Sequence, residues 1–209
     1  MKTKKVIIFD FDGVIIDSVA LMHELSKQSF PGISDEEAKS LHTENIYESM
    51  KKFAHLKREE TDEEKEARRL EYTQKKLSLA LFAGMKDALS QLAKENIVVL
   101  NTSAVERNAL PVLELHGIHE YFSFIGSADV HKSKIEKFKM ISEKFETPLS
   151  ELTFVTDTIG DLREAQEVGM PTIIVTWGIH TKEDFQDVPQ SNVVAFVDTP
   201  AELLQVLES

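Results

Sequence analysis

The feature that most constrains the fold is an alternation of short apolar runs with segments of helical periodicity. The runs are apolar throughout rather than at every second position, which indicates strands buried on both faces. Six runs cover residues 6–9, 97–100, 122–125, 152–155, 173–175 and 193–197. Helical spacing of apolar residues follows in 85–94, 106–116, 135–145, 161–168 and 201–207. The sequence therefore predicts an α/β fold, a parallel sheet with helices on both faces and its ligand site at the strands' carboxyl ends.

One long interruption breaks this alternation, because residues 18–81 show helical segments and no strand pattern. Ser34 and Glu37 have the spacing of a capping box, which predicts a helix start. Residues 58–76 are highly charged, with Glu and Lys at spacings that support an exposed helix. We predict a helical domain of residues 18–81 inserted into a core domain of residues 1–17 and 82–209.

Composition excludes several classes of function. The chain has no cysteine, which rules out a disulfide scaffold, a Cys-ligated metal and a thiol nucleophile. Its formal net charge of -12 opposes binding to nucleic acid. No apolar run approaches the roughly 20 residues that cross a bilayer. We expect a cytoplasmic, soluble monomer or homodimer with no nucleic-acid or membrane partner.

Two acidic residues follow the first apolar run. Asp10 and Asp12 lie just beyond this predicted strand, and Gly13 then allows the chain to turn. Carboxylates this close repel each other and lose hydration unless a cation or hydrogen bonds offset both costs. Mg²⁺, which prefers oxygen ligands, is the simplest such cation. The alternative is an ordinary turn at a strand end.

A second acidic pair follows the fourth run. Asp157 is predicted at the strand tip and Asp161 one helical turn later, so both can face the same crevice. The alternative is a helix start, where Asp is favoured. Four converging carboxylates without a metal would destabilise one another, which favours a shared cation site.

Polar residues also follow two other predicted strands. Asn101, Thr102 and Ser103 follow the second strand, where they could bind an anion or cap the next helix. Lys132 lies on the loop or helix start after the third strand. Taken alone, it is either a solvated surface charge or a ligand for an anion.

Together these residues resemble the haloacid dehalogenase superfamily of phosphohydrolases, over essentially the whole chain. The segment FDFDGVIIDS at 9–18 resembles the first motif of that family, which implies Asp10 as nucleophile and Asp12 as general acid and base. Residues 157–161 resemble the fourth motif, and 175–178 are similar to phosphoglycolate phosphatase-like members. The chain as a whole resembles the phosphoglycolate phosphatase and beta-phosphoglucomutase-like subfamily. The resemblance implies a Rossmann-like core and identifies the insert as a helical cap.

The resemblance also implies a magnesium cofactor. Asp10, Asp157 and the main-chain carbonyl of Asp12 would hold Mg²⁺, and Asp161 would orient a metal-bound water. These four residues are the predicted metal site.

The phosphoryl-binding residues are implied in the same way. Thr102 matches the hydroxyl residue of the second motif, with Ser103 as the alternative at this position. Lys132 matches the lysine of the third motif, with Phe138 six residues on and Asp157 25 residues on. Both Thr102 and Lys132 would bind phosphoryl oxygens, where negative charge must be stabilised.

Three positions depart from the pattern of the family. Thr156 replaces a glycine before the fourth-motif aspartate, Ser133 replaces a proline after the third-motif lysine, and Asn101 replaces a small or apolar residue. None of the three removes a catalytic group.

The function implied is a Mg²⁺-dependent phosphohydrolase that cleaves a small phosphorylated metabolite through an aspartyl-phosphate. A phosphomutase of beta-phosphoglucomutase type and a non-catalytic binding or regulatory module are the alternatives. Dehalogenases of this family lack the second aspartate, so Asp12 disfavours dehalogenation. Residues 51–76 carry 9 basic and 7 acidic side chains, a local excess that could attract an anionic substrate or merely be a solvated helix.

Overall fold

A computed structural model describes residues 4–208, which form six strands and nine α-helices. The strands are β1 (Val6–Phe9), β2 (Ile97–Asn101), β3 (Phe124–Gly126), β4 (Thr153–Thr156), β5 (Thr172–Val175) and β6 (Val193–Val197). The helices are α1 (Val19–Ser29), α2 (Asp35–Ser40), α3 (Ile46–Lys52), α4 (Asp62–Leu77), α5 (Met85–Glu95), α6 (Glu106–Leu115), α7 (Lys134–Lys144), α8 (Ile159–Glu167) and α9 (Pro200–Glu208). Within residues 4–208, no helix is both long and apolar enough to cross a bilayer.

All six strands pair in parallel, in the order β3-β2-β1-β4-β5-β6. This confirms the predicted α/β class and its Rossmann-like sheet. After β1, the chain adds β2 and β3 on one side of β1 and later adds β4, β5 and β6 on the other side. The switch point of the sheet therefore lies between β1 and β4. Ligands of open parallel sheets bind in the crevice at this switch point, outside the strands' carboxyl ends.

Apolar side chains cover both faces of the sheet. Ile7 and Phe9 of β1 pack in the cluster that includes residues of α5, α6 and α9, whereas Val6 and Ile8 pack with residues of α7 and α8. Successive side chains of a strand point to opposite faces, so a strand covered on both sides must be apolar at every position. This explains the continuous apolar runs of the sequence.

Helices α1–α4 follow the first strand, as predicted for the insert. The capping box of Ser34 and Glu37 is present at α2, and α4 begins with a second one, formed by Thr61 and Glu64. The insert has an apolar cluster of its own: Phe30, Ile33, Ala38 and Leu41. The division at residues 17/18 and 81/82 stays a prediction, and its outer ends, residues 1–3 and 209, lie outside the described residues.

Both ends of the insert meet at one place beside the sheet. The Asp17 amide donates to the Ala80 carbonyl (3.0 Å), and the Phe82 amide donates to the Ile15 carbonyl (3.1 Å). The incoming and outgoing chains are thus held together by backbone hydrogen bonds, next to the end of β1.

Strand β3 begins two residues later than the sequence predicted. A 3₁₀ turn at His119–Tyr121 comes first, and the Phe122 amide donates to the His119 carbonyl (3.1 Å), so Phe122 closes the turn instead of pairing with β2. Phe122 is apolar like the strand residues that follow, so the sequence pattern did not distinguish the end of the turn from the start of β3.

Candidate functional site

Acidic side chains from two neighbouring strands meet at the switch point. Asp10 directly follows β1, and its amide donates to the Val155 carbonyl of β4 (2.9 Å). Asp10, Asp12 and Asp161 line a cavity of about 300 Å³ between the sheet and the insert. The structure thus brings together acids that the sequence placed on separate elements.

Lys134 is the cation at the centre of this group. Its Nζ lies 2.8 Å from Asp10 Oδ1 and 2.5 Å from Asp161 Oδ2, and the side chain is almost fully buried. Burial alone would lower the pKa of Lys134, but Asp10 and Asp161 raise it above its usual value, so the ammonium stays charged. A buried cation between two strand ends is suited to binding an anion.

Lys132, the lysine that the sequence analysis chose, is not brought to the acids. It is exposed, and its Nζ lies 5.3 Å from the centre of the Tyr47 ring. Ser133 is the N-cap of α7, which makes Lys134 the first residue of that helix. Side chains of a helix lean toward its N-terminus, so Lys134 reaches back to the strand ends while Lys132 lies outside the helix. Lys134, not Lys132, therefore lies at the strand ends, and the spacing of Ser133 and Glu136 is the sequence pattern that indicates where α7 begins.

Thr102 and Ser103 both line the cavity at the end of β2. Thr102 is buried, and its Oγ1 accepts a hydrogen bond from the Ala104 amide (3.0 Å). The Ser103 carbonyl accepts from the Tyr47 hydroxyl of the insert (2.9 Å). Lys137, which the sequence analysis missed, donates from Nζ to the Thr102 carbonyl (2.6 Å) and so fixes this loop.

Asp157 lies at the end of β4, fully buried behind the cavity. Its Oδ2 accepts from the Ile179 amide (2.7 Å). A Cβ at Gly13 or at Gly178 would overlap the Asp157 carboxylate, so both positions must be glycine for the carboxylate to fit. Burial, with Asp10 nearby, raises the pKa of Asp157 well above its usual value.

An unpaired oxygen of Asp157 makes the site suitable for a divalent cation. Asp157 Oδ1 is buried and accepts no hydrogen bond from the part of the chain described. Asp12 Oδ1 is also without a hydrogen bond there, but the Asp12 side chain is the predicted general acid and base. Burial raises the pKa of Asp10 to about 7, because the buried pocket disfavours a charged carboxylate. The Lys134 ammonium acts in the opposite direction and lowers this pKa. No three acidic or histidine side chains within residues 4–208 converge as a complete metal cluster. Mg²⁺ needs only one or two carboxylates because it keeps several waters, so these residues fit it.

The three residues that depart from the family pattern all support the lysine or its partner. The Thr156 hydroxyl donates to Asp161 Oδ2 (2.6 Å), and Asn101 Nδ2 donates to the Lys134 carbonyl (3.4 Å). Ser133 accepts at its Oγ from the Glu136 amide and so caps the helix that carries Lys134. The departures therefore add contacts that hold Lys134 and Asp161 in place.

A second buried lysine comes from the insert. Lys76, in the last turn of α4, is fully buried, and its Nζ lies 2.8 Å from Asp12 Oδ2. The same ammonium lies 4.8 Å from the centre of the Phe11 ring and 5.6 Å from that of Tyr72. This ion pair connects the insert to Asp12. No sequence pattern indicates it, because the two residues are 64 positions apart.

We expect Lys76→Met to lower the free energy of unfolding by about 3 kcal/mol, since it leaves the Asp12 carboxylate without its buried partner. Lys75→Met is the matched control: Lys75 is partly exposed and pairs with Glu24 and Glu71 at the surface, where solvent screens the charges, so its loss should cost far less. Urea unfolding followed by circular dichroism measures both. Equal losses in the two variants would show that the buried pair does not stabilise the fold.

Comparisons with known proteins agree with this geometry. The family model described as haloacid dehalogenase-like hydrolase matches residues 7–175. A phosphoglycolate phosphatase of Synechococcus elongatus is 25% identical, over 96% of this chain and 96% of its own length. Another, from Vibrio parahaemolyticus, is 25% identical over 97% and 96%. A hydrolase structure from Pseudomonas syringae superposes with a TM-score of 0.78 at 18% identity, over 98% of both chains.

The parallel sheet, with acids and a buried lysine at its switch point, defines an α/β protein with a candidate site at its strand ends. The chain belongs to the haloacid dehalogenase-like hydrolases, since that family's model matches well over half of it. This confirms the predicted family and the predicted class, a hydrolase of the phosphatase kind.

Proposed function

We propose that the protein hydrolyses phosphate monoesters through a covalent phosphoryl group on Asp10, with Mg²⁺ as cofactor. The observation that carries the proposal is the position of Asp10. It ends β1 at the switch point, lines the cavity, and has the Lys134 ammonium at 2.8 Å. A nucleophile beside a fixed cation, open to a small cavity, suits attack on an anionic phosphoryl group.

In the first step, an Asp10 carboxylate oxygen bonds to phosphorus and the bond from phosphorus to the ester oxygen breaks. Asp12, two residues on and also lining the cavity, enters this step protonated and gives its proton to the departing oxygen, which leaves as an alcohol. Lys76 pairs with the Asp12 carboxylate that remains. In the second step, Asp12 takes a proton from water, whose oxygen bonds to phosphorus and releases inorganic phosphate and the Asp10 carboxylate. The division into two steps lowers a barrier that is very high for direct hydrolysis.

The other residues bind and orient. Lys134 and the Thr102 hydroxyl hold phosphoryl oxygens, and Lys137 fixes the Thr102 loop through its carbonyl. Asp10, Asp157 and the main-chain carbonyl of Asp12 would hold Mg²⁺, and Asp161 would orient a water bound to it. When bound, Mg²⁺ reduces the repulsion between the acids and the phosphoryl group.

Removal of the metal tests the cofactor part of this proposal. We expect release of phosphate from p-nitrophenyl phosphate to fall by at least about 100-fold when EDTA removes divalent cations, and to return when Mg²⁺ is added in excess. Circular dichroism of the EDTA-treated protein separates loss of activity from loss of fold. Full activity in EDTA would contradict a metal-dependent reaction.

The substrate is proposed to be a small phosphorylated metabolite, which suits a cavity of about 300 Å³. Cytoplasmic location and a monomeric or homodimeric state stay predictions from the sequence.

A further inference from the structure

The insert is docked on the sheet through contacts that can be identified. The Tyr47 hydroxyl donates to the Ser103 carbonyl (2.9 Å), and the Gly160 amide donates to the His42 carbonyl (2.9 Å). A Cβ at Gly160 would overlap the backbone of Glu44, so the two parts are in close contact at that point. Side chains of the insert and of the sheet therefore line the cavity together.

The part of the cavity lining that the insert contributes is rich in apolar side chains, with Ser26, Ser29, Tyr47 and Tyr72 among its polar members. The phosphoryl end is fixed by Asp10 and Lys134, so the ester's leaving group must lie against the insert. There the cavity is lined by Met22, Leu25, Phe30, Leu41, Ile46 and Met50. Apolar walls favour apolar groups, because their contact removes hydrocarbon surface from water.

The charges in the cavity oppose a second anion. Among the described residues that line it, Lys134 is the one lysine or arginine, and Asp10 and Asp161 already hold it. Glu44 and Glu164 add two further carboxyl groups to the lining. A carboxylate or phosphate on the leaving group would lose its hydration there and gain no cationic partner.

The basic residues of the insert are used elsewhere. Lys51 pairs with Glu48, and Arg58 pairs with Glu64, all four with exposed side chains. Neither of these two basic residues lines the cavity. Lys52 and Lys76 do pair with acids that line it, Glu44 and Asp12, and each is neutralised by its acid. Burial also lowers the pKa of His42, which does line the cavity, to about 4, so its ring is uncharged at neutral pH.

Resting on the proposed function, we infer that the substrate is a phosphate monoester of an uncharged, largely apolar alcohol. The inference separates this protein from its relatives that are named phosphoglycolate phosphatases, since glycolate carries a carboxylate. It also counts against the phosphomutase alternative, which needs a place for a second phosphate in the insert.

Two matched pairs of esters test the inference: benzyl phosphate against 4-carboxybenzyl phosphate, and the phosphate ester of glycolamide against phosphoglycolate. Each pair differs chiefly in one negative charge on the leaving group. With Mg²⁺ present, we expect kcat/KM to be about 100-fold higher for the uncharged member of each pair. Equal values, or a preference for the carboxylates, would overturn the inference while leaving phosphatase activity established.

A variant that adds a cation supplies the converse test. Met50 lines the cavity and is 38% exposed, so Met50→Lys should fold and raise the relative kcat/KM of the carboxylated esters at least about fivefold. Met140→Lys, at a similarly exposed position on α7 that does not line the cavity, is the control and should leave the ratio unchanged. An unchanged relative kcat/KM in Met50→Lys would show that the charges of the cavity do not cause the preference for uncharged esters. If no ester were hydrolysed at all, the proposed function would fall, and this inference with it.

Discussion

Replacing Asp10 with asparagine is expected to lower kcat/KM for every phosphate ester by at least about 10³-fold. The amide is close in size to the carboxylate but cannot attack phosphorus. The substitution also removes a negative charge from a buried group of acids. This charge is unfavourable there, because burial raises the pKa of Asp10 to about 7. Lys134 keeps its pair with Asp161 in this variant, so the variant should still fold, which circular dichroism checks. Steady-state phosphate release then measures the loss of activity.

Asp17→Asn is the matched control for this substitution. Asp17 is exposed, lies in the same motif-like segment, and makes its contact with Ala80 through the backbone amide, which the change preserves. Its kcat/KM should stay within about threefold of the unmodified protein. If Asp10→Asn kept more than about a tenth of the activity, Asp10 would not be the nucleophile.

Substitutions of Lys134 and of Lys132, which are two residues apart, are expected to have very different effects on kcat/KM. Lys134→Met should lower kcat/KM by about 10²- to 10³-fold, because it removes the buried cation that faces the phosphoryl group. Lys132→Met should change it by less than about threefold, because Lys132 is exposed and touches no acid of the site. Phosphate release from one ester, measured for both variants, shows which of the two lysines the reaction needs.

Lys134→Met also leaves Asp10 and Asp161 without their buried cation, so its fold must be measured separately. Lys134→Arg keeps the charge and controls for this effect: it should recover most of the free energy of unfolding but little of the activity, since the guanidinium is larger and planar. Loss of activity with Lys132→Met and its retention with Lys134→Met would return the role to the residue that the sequence favoured.

The sheet and its helices could be predicted because their signals are local. Continuous apolar runs mark strands buried on both faces, but they do not set the register of β1 with β2 and β4, which the structure shows. The acids at 10, 12, 157 and 161 were also predictable, since parallel strands bring their carboxyl ends to one edge. The strand predictions and the predicted acids each depend only on neighbouring residues in the sequence and on the rule that parallel strands end at one edge of the sheet.

The contacts that complete the site depend on pairs far apart in the chain. Lys76 reaches Asp12 only because α4 ends beside β1, and Lys134 was missed because the start of α7 was placed one residue too late. The apolar wall of the cavity was hidden as well. Its residues have ordinary helical spacing, and the sequence cannot show which face of a helix turns toward the sheet.

The most direct test of the central claim is to trap the phosphoryl group on Asp10. The double variant Asp12→Asn with Lys76→Met removes the proposed base without leaving an unpaired buried lysine, and p-nitrophenolate departs without help from an acid. After reaction with p-nitrophenyl phosphate and Mg²⁺, mass spectrometry should find one phosphoryl group on the peptide that carries Asp10. A phosphoryl group on another residue, or turnover that leaves the protein unlabelled at every time point, would contradict the account.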